Sequence, residues 1–541
     1  MSRDHEIIFY TDGRHSSVYV NEPPMDERIY TAPIDELVDL GIDTITYAVG
    51  DCRVLLYDTK AGERWGHNVR KTNHIIFYRA KRNLEAFLAE GRDPLEIVCA
   101  RAHDFGFSFM PSLLLAMPHE PRAEVTNCRC SDFCMDHPEF QVGEEPEFPE
   151  ARWDTPTRLS YSFEQVRENR LAVIRELVED YESDGIELNL YDYVPFLARR
   201  EIPQHTDTFT RFVREARTLC DAAAKKQGRA KRLLVRAAAS LSGAKAAGID
   251  IETMIRDGIV DTVLAMPPHK SEFAEPHPDG VAELVAAARR TDVKIVAAVS
   301  TPIRHDAYKT APRAMQVAQA ANAYHAGARG AFFATYYPGG YPYLDADLAN
   351  LRFMGRPELL ACQDKHFFVR QGPNTPDDSL GDYGLPHPLP FELEAGRPGT
   401  PVQLYVCDDV GRRHERGELA RCELRVRLVN FIETDVFDLY LNDKMIPRGH
   451  QEWLDWTYSV RKVPGNMRLL NHYWITVDLM RRGPIPAVGD NAVRVDLQEH
   501  DPRVVHAVQL HDVELVVDYR NHRHHPRRDE WWSDPAQRML T

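Results

Sequence analysis

The 541-residue chain has little of what marks a membrane, secreted or nucleic-acid-binding protein. No stretch approaches the roughly 18 apolar residues of a transmembrane helix. The start, Met1 to Glu6, runs into Ile7-Ile8-Phe9-Tyr10 without the apolar core of a secretory signal, so a cytoplasmic location is expected. Positive charge is in deficit, with 66 Lys and Arg against 82 Asp and Glu, for a formal charge of −16. A surface of that sign repels phosphate backbones and anionic lipid, so neither nucleic acid nor membrane is an expected partner. Cysteine is scarce and odd in number at nine, which excludes a disulfide scaffold and fits a reducing compartment. The first apolar run leads into Thr11-Asp12-Gly13-Arg14-His15, not into the glycine-rich phosphate loop of a dinucleotide fold. No cofactor is expected.

What the chain does have is strand–helix alternation. Eight short apolar runs precede residue 340: Glu6–Tyr10, Asp43–Val49, Phe107–Leu115, Gly185–Tyr191, Arg232–Ala239, Val260–Met266, Lys294–Ser300 and Ala331–Tyr336. Helical periodicity fills most of the gaps. Phe163–Tyr181 is the clearest case, and Thr208–Lys226, Val281–Arg290 and Arg313–Ala326 are similar. Eight such units close naturally into an α/β (β/α)8 TIM barrel over residues 1–370. The segment Ala116–Ser160 interrupts the alternation after the third strand. A loop that long is usually functional, and in a barrel it lies over the C-terminal face. Beyond Gly384 the pattern changes to short alternating strands: Val402–Val406, Cys422–Leu428, Val436–Leu441, Tyr473–Val477, Ala492–Leu497 and Val513–Val517. These predict an antiparallel β-sandwich over 385–520, bracing the barrel or joining an oligomer, with a polar tail at 521–541.

The string Asp184-Gly185-Ile186-Glu187-Leu188-Asn189-Leu190-Tyr191-Asp192 carries the most chemistry. Side chains alternate along a strand, so Glu187, Asn189 and Tyr191 share the inward face and Ile186, Leu188 and Leu190 the outward one. A Glu and an Asn inside a barrel are costly unless used or paired. Asp12, Asp51 and Glu120 follow the first three strands. His119, Arg236, His269, Ser300, Tyr336 and Tyr337 mark other strand ends, where they could bond or stack on a sugar. Arg236 could pair with the carboxylate of an anionic sugar. Cys128, Cys130 and Cys134, with His137 nearby, lack the paired knuckles of a zinc site and read as loop cysteines, so no metal is expected there. His522, His524 and His525 read as part of a solvated tail.

The string around Glu187 resembles the Asp-Gly-Ile-Glu-Leu-Asp-Phe segment of a largely uncharacterised group of bacterial family-10-like glycoside hydrolases. Ala102-His103-Asp104-Phe105-Gly106, Asp136-His137-Pro138-Glu139-Phe140, Gly248-Ile249-Asp250, Gly258-Ile259-Val260-Asp261 and Lys365-His366-Phe367-Phe368 carry the resemblance along most of the chain. So do Leu441-Asn442 and Val513-Glu514-Leu515 in the sandwich. It implies hydrolysis of an oligosaccharide or polysaccharide fragment by carboxylate acid/base catalysis at the barrel mouth. Glycosidases use two carboxyl groups, so Glu187 would be the acid/base and Asp192 the first candidate for its partner, ahead of Asp12 and Asp51. Asp12, Asp51, His119, Asn189, Tyr191, Arg236, His269 and Tyr336 would contact the carbohydrate. Asn189 stands where the group has Asp, and Tyr191-Asp192 where it usually has Arg. A carbohydrate-binding barrel without catalysis, a polysaccharide lyase and a metal-assisted hydrolase are the alternatives.

Overall fold

A computed structural model describes residues 5–144, 156–192, 194–268, 274–303, 308, 310–334, 341–343, 345–372, 388–455, 461–463, 466–468 and 472–520. Eight parallel strands close into a barrel: β1 (Glu6–Thr11), β2 (Thr44–Ala48), β3 (Ser108–Leu114), β4 (Gly185–Asn189), β5 (Arg232–Ala238), β6 (Thr262–Met266), β7 (Lys294–Ala298) and β8 (Gly330–Phe333). Neighbours follow chain order, and β1 pairs with both β2 and β8. Each strand falls on one of the eight runs expected from the sequence. Gly185 opens β4 because a Cβ there would meet the Arg232 carbonyl oxygen at 1.9 Å. The first turn of β4 can therefore lie against β5 only without a side chain.

The two faces of the strands sort by chemistry. Ile7, Phe9, Ile45, Phe109, Ile186, Leu188 and Val235 point outward into the core shared with the helices. Ile8, Tyr10, Met110, Tyr191, Leu234, Leu264, Val296 and Phe332 fill the barrel interior. At the floor, the Glu6 carboxylate takes both branches of Arg232, at 2.7 and 3.0 Å, and the Thr44 hydroxyl at 2.8 Å. The helices Glu164–Glu179 and Ile202–Gln227 flank β4 in sequence and pack on each other outside it.

The second layer is an antiparallel sandwich. Its strands are β9 (Lys365–Phe368), β10 (Phe391–Glu392), β11 (Val402–Val406), β12 (Leu419–Val429), β13 (Val436–Leu441), β14 (Lys444–Ile446), β15 (Glu452–Asp455), β16 (His472–Asp478), β17 (Gly489–Glu499) and β18 (Gln509–Tyr519). One sheet runs β9–β18–β12–β16–β15, with β10 also on β18, and the other runs β11–β17–β13–β14. The strand β9, whose sequence reads as the chain leaving the barrel, already belongs to the sandwich, with Lys365 opposite Val517. Ala318, on the helix Arg313–His325 after β7, sits in the sandwich core. Asn322 on that helix accepts from the Cys407 amide at 3.2 Å, and Arg370 pairs with Glu275 at 2.6 Å. Among the described residues no helix is long and apolar enough to cross a membrane.

Candidate active site

Glu187 lies on the inward face of β4 and is wholly buried. Its Oε1 accepts a hydrogen bond from Arg236 Nε on β5 at 2.7 Å, and both side chains are 0% exposed. The guanidinium also lies 4.2 Å from the centre of the Tyr10 ring and 5.0 Å from that of Phe332, placements that suit cation–π attraction. Burial opposes the charge on Arg236, but Glu187, Tyr10 and Asp192 outweigh it and raise its pKa further. Burial likewise pushes the Tyr10 hydroxyl well above its ordinary range. Arg236 is therefore enclosed by protein groups and is not open to a substrate carboxylate. Glu187 Oε2 is buried without a hydrogen-bond partner among the described residues. So are the hydroxyls of Ser112, its register partner on β3, and of Thr46 on β2.

Above this pair the chain turns through Asn189 and Asp192. Asn189 Oδ1 accepts from the amides of Tyr191 (3.1 Å) and Asp192 (3.0 Å), while Nδ2 donates to Asp192 Oδ2 at 2.7 Å. An aspartate in place of Asn189 could accept the same amides but could not donate to Asp192. The Asp192 carboxylate lies 3.8 Å from Arg236 and is 22% exposed, so it is the member of the group that reaches the mouth. Tyr191 is wholly buried in the interior cluster, so its ring is not free to stack on a sugar.

The other strand ends form a charged wall. Asp12, after β1, accepts from the backbone amides of Arg14 (3.0 Å) and His15 (2.9 Å) and from the His15 ring. Burial raises its pKa, but His15 and Arg14 outweigh burial and hold it below the usual carboxylate range. Asp51, after β2, caps its own turn by accepting from the amides of Arg53 (2.7 Å) and Val54 (3.0 Å). Arg53 reaches across to Glu120 in the long loop at 2.6 Å. Burial again works upward on Glu120, and Arg53, Cys130 and Asn127 bring it below its ordinary value. Arg14 and Arg53 were not singled out in the sequence and Cys130 read only as a loop cysteine, although Asp51-Cys52-Arg53 is visible as an alternating charge at a strand end. His119 is half-buried, and its amide donates to the Thr157 carbonyl. Ser300 is buried, its backbone held by Gln319. His269, Tyr336, Tyr337 and the tail histidines lie outside the described residues.

Cys128, Cys130 and Cys134 are buried free thiols. Cys130 donates to Glu120 Oε2 at 3.1 Å, and burial with that contact pushes its pKa up to about 12. Thiols in that range are poor nucleophiles, which fits a packing role. A cavity of about 1100 Å³ opens where the barrel meets the sandwich, lined by Ser240, Met266, Pro268, His277, Arg370 and Asp490 among others. It touches the ends of β5 and β6 but none of Glu187, Asn189 or Asp192.

No protein-family model matches the chain, and no curated protein is related to it at a significant level. One similar solved structure is the glycoside hydrolase domain of PgaB (BpsB) from Bordetella bronchiseptica, at 14% identity over 65% of this chain and 98% of that one, with a TM-score of 0.39. A second is alpha-L-fucosidase isoenzyme 2 from Paenibacillus thiaminolyticus, at 12% identity over 66% and 49%, also with a TM-score of 0.39. A third is the noncanonic maltogenic alpha-amylase AmyB from Thermotoga neapolitana, at 13% identity over 68% and 81%, with a TM-score of 0.37. This chain spans about half the length of the fucosidase. At these scores the likeness is loose, and the TIM barrel and sandwich rest on this chain's own strand pairing.

Proposed function

We propose that the protein is a glycoside hydrolase acting on an oligosaccharide or polysaccharide fragment at the C-terminal mouth of the barrel. In this reading Asp192 is the carboxylate that meets the substrate, as base or nucleophile. Glu187 and Arg236 are positioning residues beneath it. The observation that carries the reading is the graded column of Glu187 (0% exposed), Arg236 (0%) and Asp192 (22%). A buried ion pair is weak evidence for stability, because desolvation offsets much of its attraction. Here it ends in a carboxylate held on two sides, by Asn189 and Arg236, at the face where barrel enzymes do their chemistry. Asp12, Asp51 and Glu120, each engaged by Arg or His, would shape the wall that holds sugar hydroxyls.

The test is turnover of a panel of 4-nitrophenyl glycosides and oligosaccharides. Asp192→Asn should lower kcat by roughly 10²–10⁴-fold, the usual worth of a positioned acid or base. Unchanged turnover would remove Asp192 from the mechanism. A second reading, a carbohydrate-binding barrel without catalysis, draws on one observation: Glu187, the acid that the family resemblance supplies, is already neutralised by Arg236. Glycan binding without release of product across the panel would favour it.

A further inference from the structure

We propose that Glu63, His67 and Asp132 form a site for a divalent transition-metal ion of the zinc type, pinning the long loop after β3 to the loop after β2. Glu63 and His67 lie in the segment between β2 and the helix Ile75–Ala89. Asp132 opens the short helix Asp132–Asp136 in the long loop. One donor atom from each lies within 4.8 Å of the other two. His67 Nε2 is 2.9 Å from Asp132 Oδ2 and 3.7 Å from Glu63 Oε1. Zinc bonds of about 2.0–2.1 Å to nitrogen and oxygen give a tetrahedral edge of about 3.3 Å. The two separations bracket that edge.

The hydrogen bonding around the three residues supplies the second argument. His67 Nδ1 lies 2.8 Å from the Arg64 carbonyl oxygen, which can only accept. Nδ1 therefore donates to that carbonyl, and Nε2 is the ring nitrogen turned towards the two carboxylates. Asp132 is steered from behind in the same way, while Glu63 is held through the oxygen that faces His67. Asp132 Oδ1 takes Arg122 at 2.7 Å and Asn68 at 3.1 Å, which leaves Oδ2 towards His67. Glu63 Oε1 accepts the amides of Asp132 (2.8 Å) and Phe133 (3.2 Å). A histidine whose far nitrogen donates to a carbonyl, beside hydrogen-bonded carboxylates, is the outer-shell pattern of metal ligands. Imidazole with two carboxylates suits zinc and its neighbours better than magnesium or calcium, which favour oxygen alone.

The consequence reaches the mouth. The long loop also carries Glu120 and Cys130, and Glu120 holds Arg53. A metal that fixes Asp132 would fix that wall. This inference stands independently of the reaction proposed above.

The experiment uses the full chain stripped with chelator and then titrated with zinc sulfate or magnesium chloride while thermal unfolding is followed. Zinc should raise the wild-type unfolding temperature by roughly 2–4 °C, and magnesium should not. His67→Gln and Glu63→Gln should both abolish the zinc shift; the second keeps an acceptor for the two amides. After desalting, the wild type should retain one more equivalent of zinc than His67→Gln, a difference that cancels any zinc held by His522, His524 and His525. No zinc shift in the wild type, a shift that survives in either variant, or equal zinc in wild type and His67→Gln would each overturn the proposal.

Discussion

Two Glu–Arg pairs cross the inside of this barrel, and both arginines come from one strand. Arg232 and Arg236 lie four residues apart on the inward face of β5. At the floor, Glu6 takes both branches of Arg232, the Thr44 hydroxyl and, at 3.7 Å, Lys294; Arg232 also reaches Thr262. Near the mouth, Glu187 takes Arg236 through one oxygen, and its other oxygen is buried without a partner among the described residues. The floor pair is saturated and partly open to water, at 26% and 11% exposure, as a structural staple should be. The mouth pair is drier and less complete. A protein that needed only stability at that level could fill it with apolar side chains. The contrast supports the proposal that the chemistry lies at the top of β4 and β5.

Removing one partner at a time should break the two pairs unequally. Arg236→Met leaves Glu187 buried without its counter-charge and should cost about 3–5 kcal/mol in urea unfolding. Adding Glu187→Leu should recover most of that loss, since an apolar pair of similar volume is often neutral or better. A double variant as unstable as the single one would mean that the pair is itself the staple. At the floor, Glu6→Gln should cost less, about 1.5–3 kcal/mol, the worth of hydrogen bonds to a charged group.

A pH profile sharpens the same difference. Burial raises the pKa of Glu6, but Arg232, Thr44 and Lys294 outweigh burial and hold it below 4.5. A depressed carboxylate contributes its stability above its unfolded pKa and loses it as pH falls through the folded value. Unfolding free energy should therefore fall below about pH 4.5, the unfolded value, and Glu6→Gln should flatten that limb. The smallest effect on stability belongs to Asp192→Asn. Its site is partly exposed and its Asn189 contact can be remade, so the change should stay within about 0.5 kcal/mol.

Much of this was legible in sequence. Eight apolar runs located the strands, and alternation along Ile186–Tyr191 put Glu187 and Asn189 inside. The partner of Glu187 was not legible. It depends on the register between β4 and β5, which sets Glu187 beside Leu234 and Asn189 beside Arg236. That register follows from strand tilt and barrel closure, not from either strand alone. Arg236 read as an open sugar ligand for that reason, and Tyr191 read as a carbohydrate contact because composition does not reveal how deep in the barrel a ring lies. The Arg53–Glu120 contact joins residues 67 apart across two irregular loops, where no periodicity gives a signal. The strand Lys365–Phe368 is four residues long and buried throughout, so its sequence cannot say which of two cores it serves.

The most direct test of the account compares kcat for Asp192→Asn and Glu187→Gln on a glycoside that the wild type cleaves. The account predicts that Asp192→Asn is the more severe lesion, while Glu187→Gln, which keeps an acceptor for Arg236, retains measurable turnover. Wild-type turnover in Asp192→Asn together with none in Glu187→Gln would contradict it and return the chemistry to the buried glutamate.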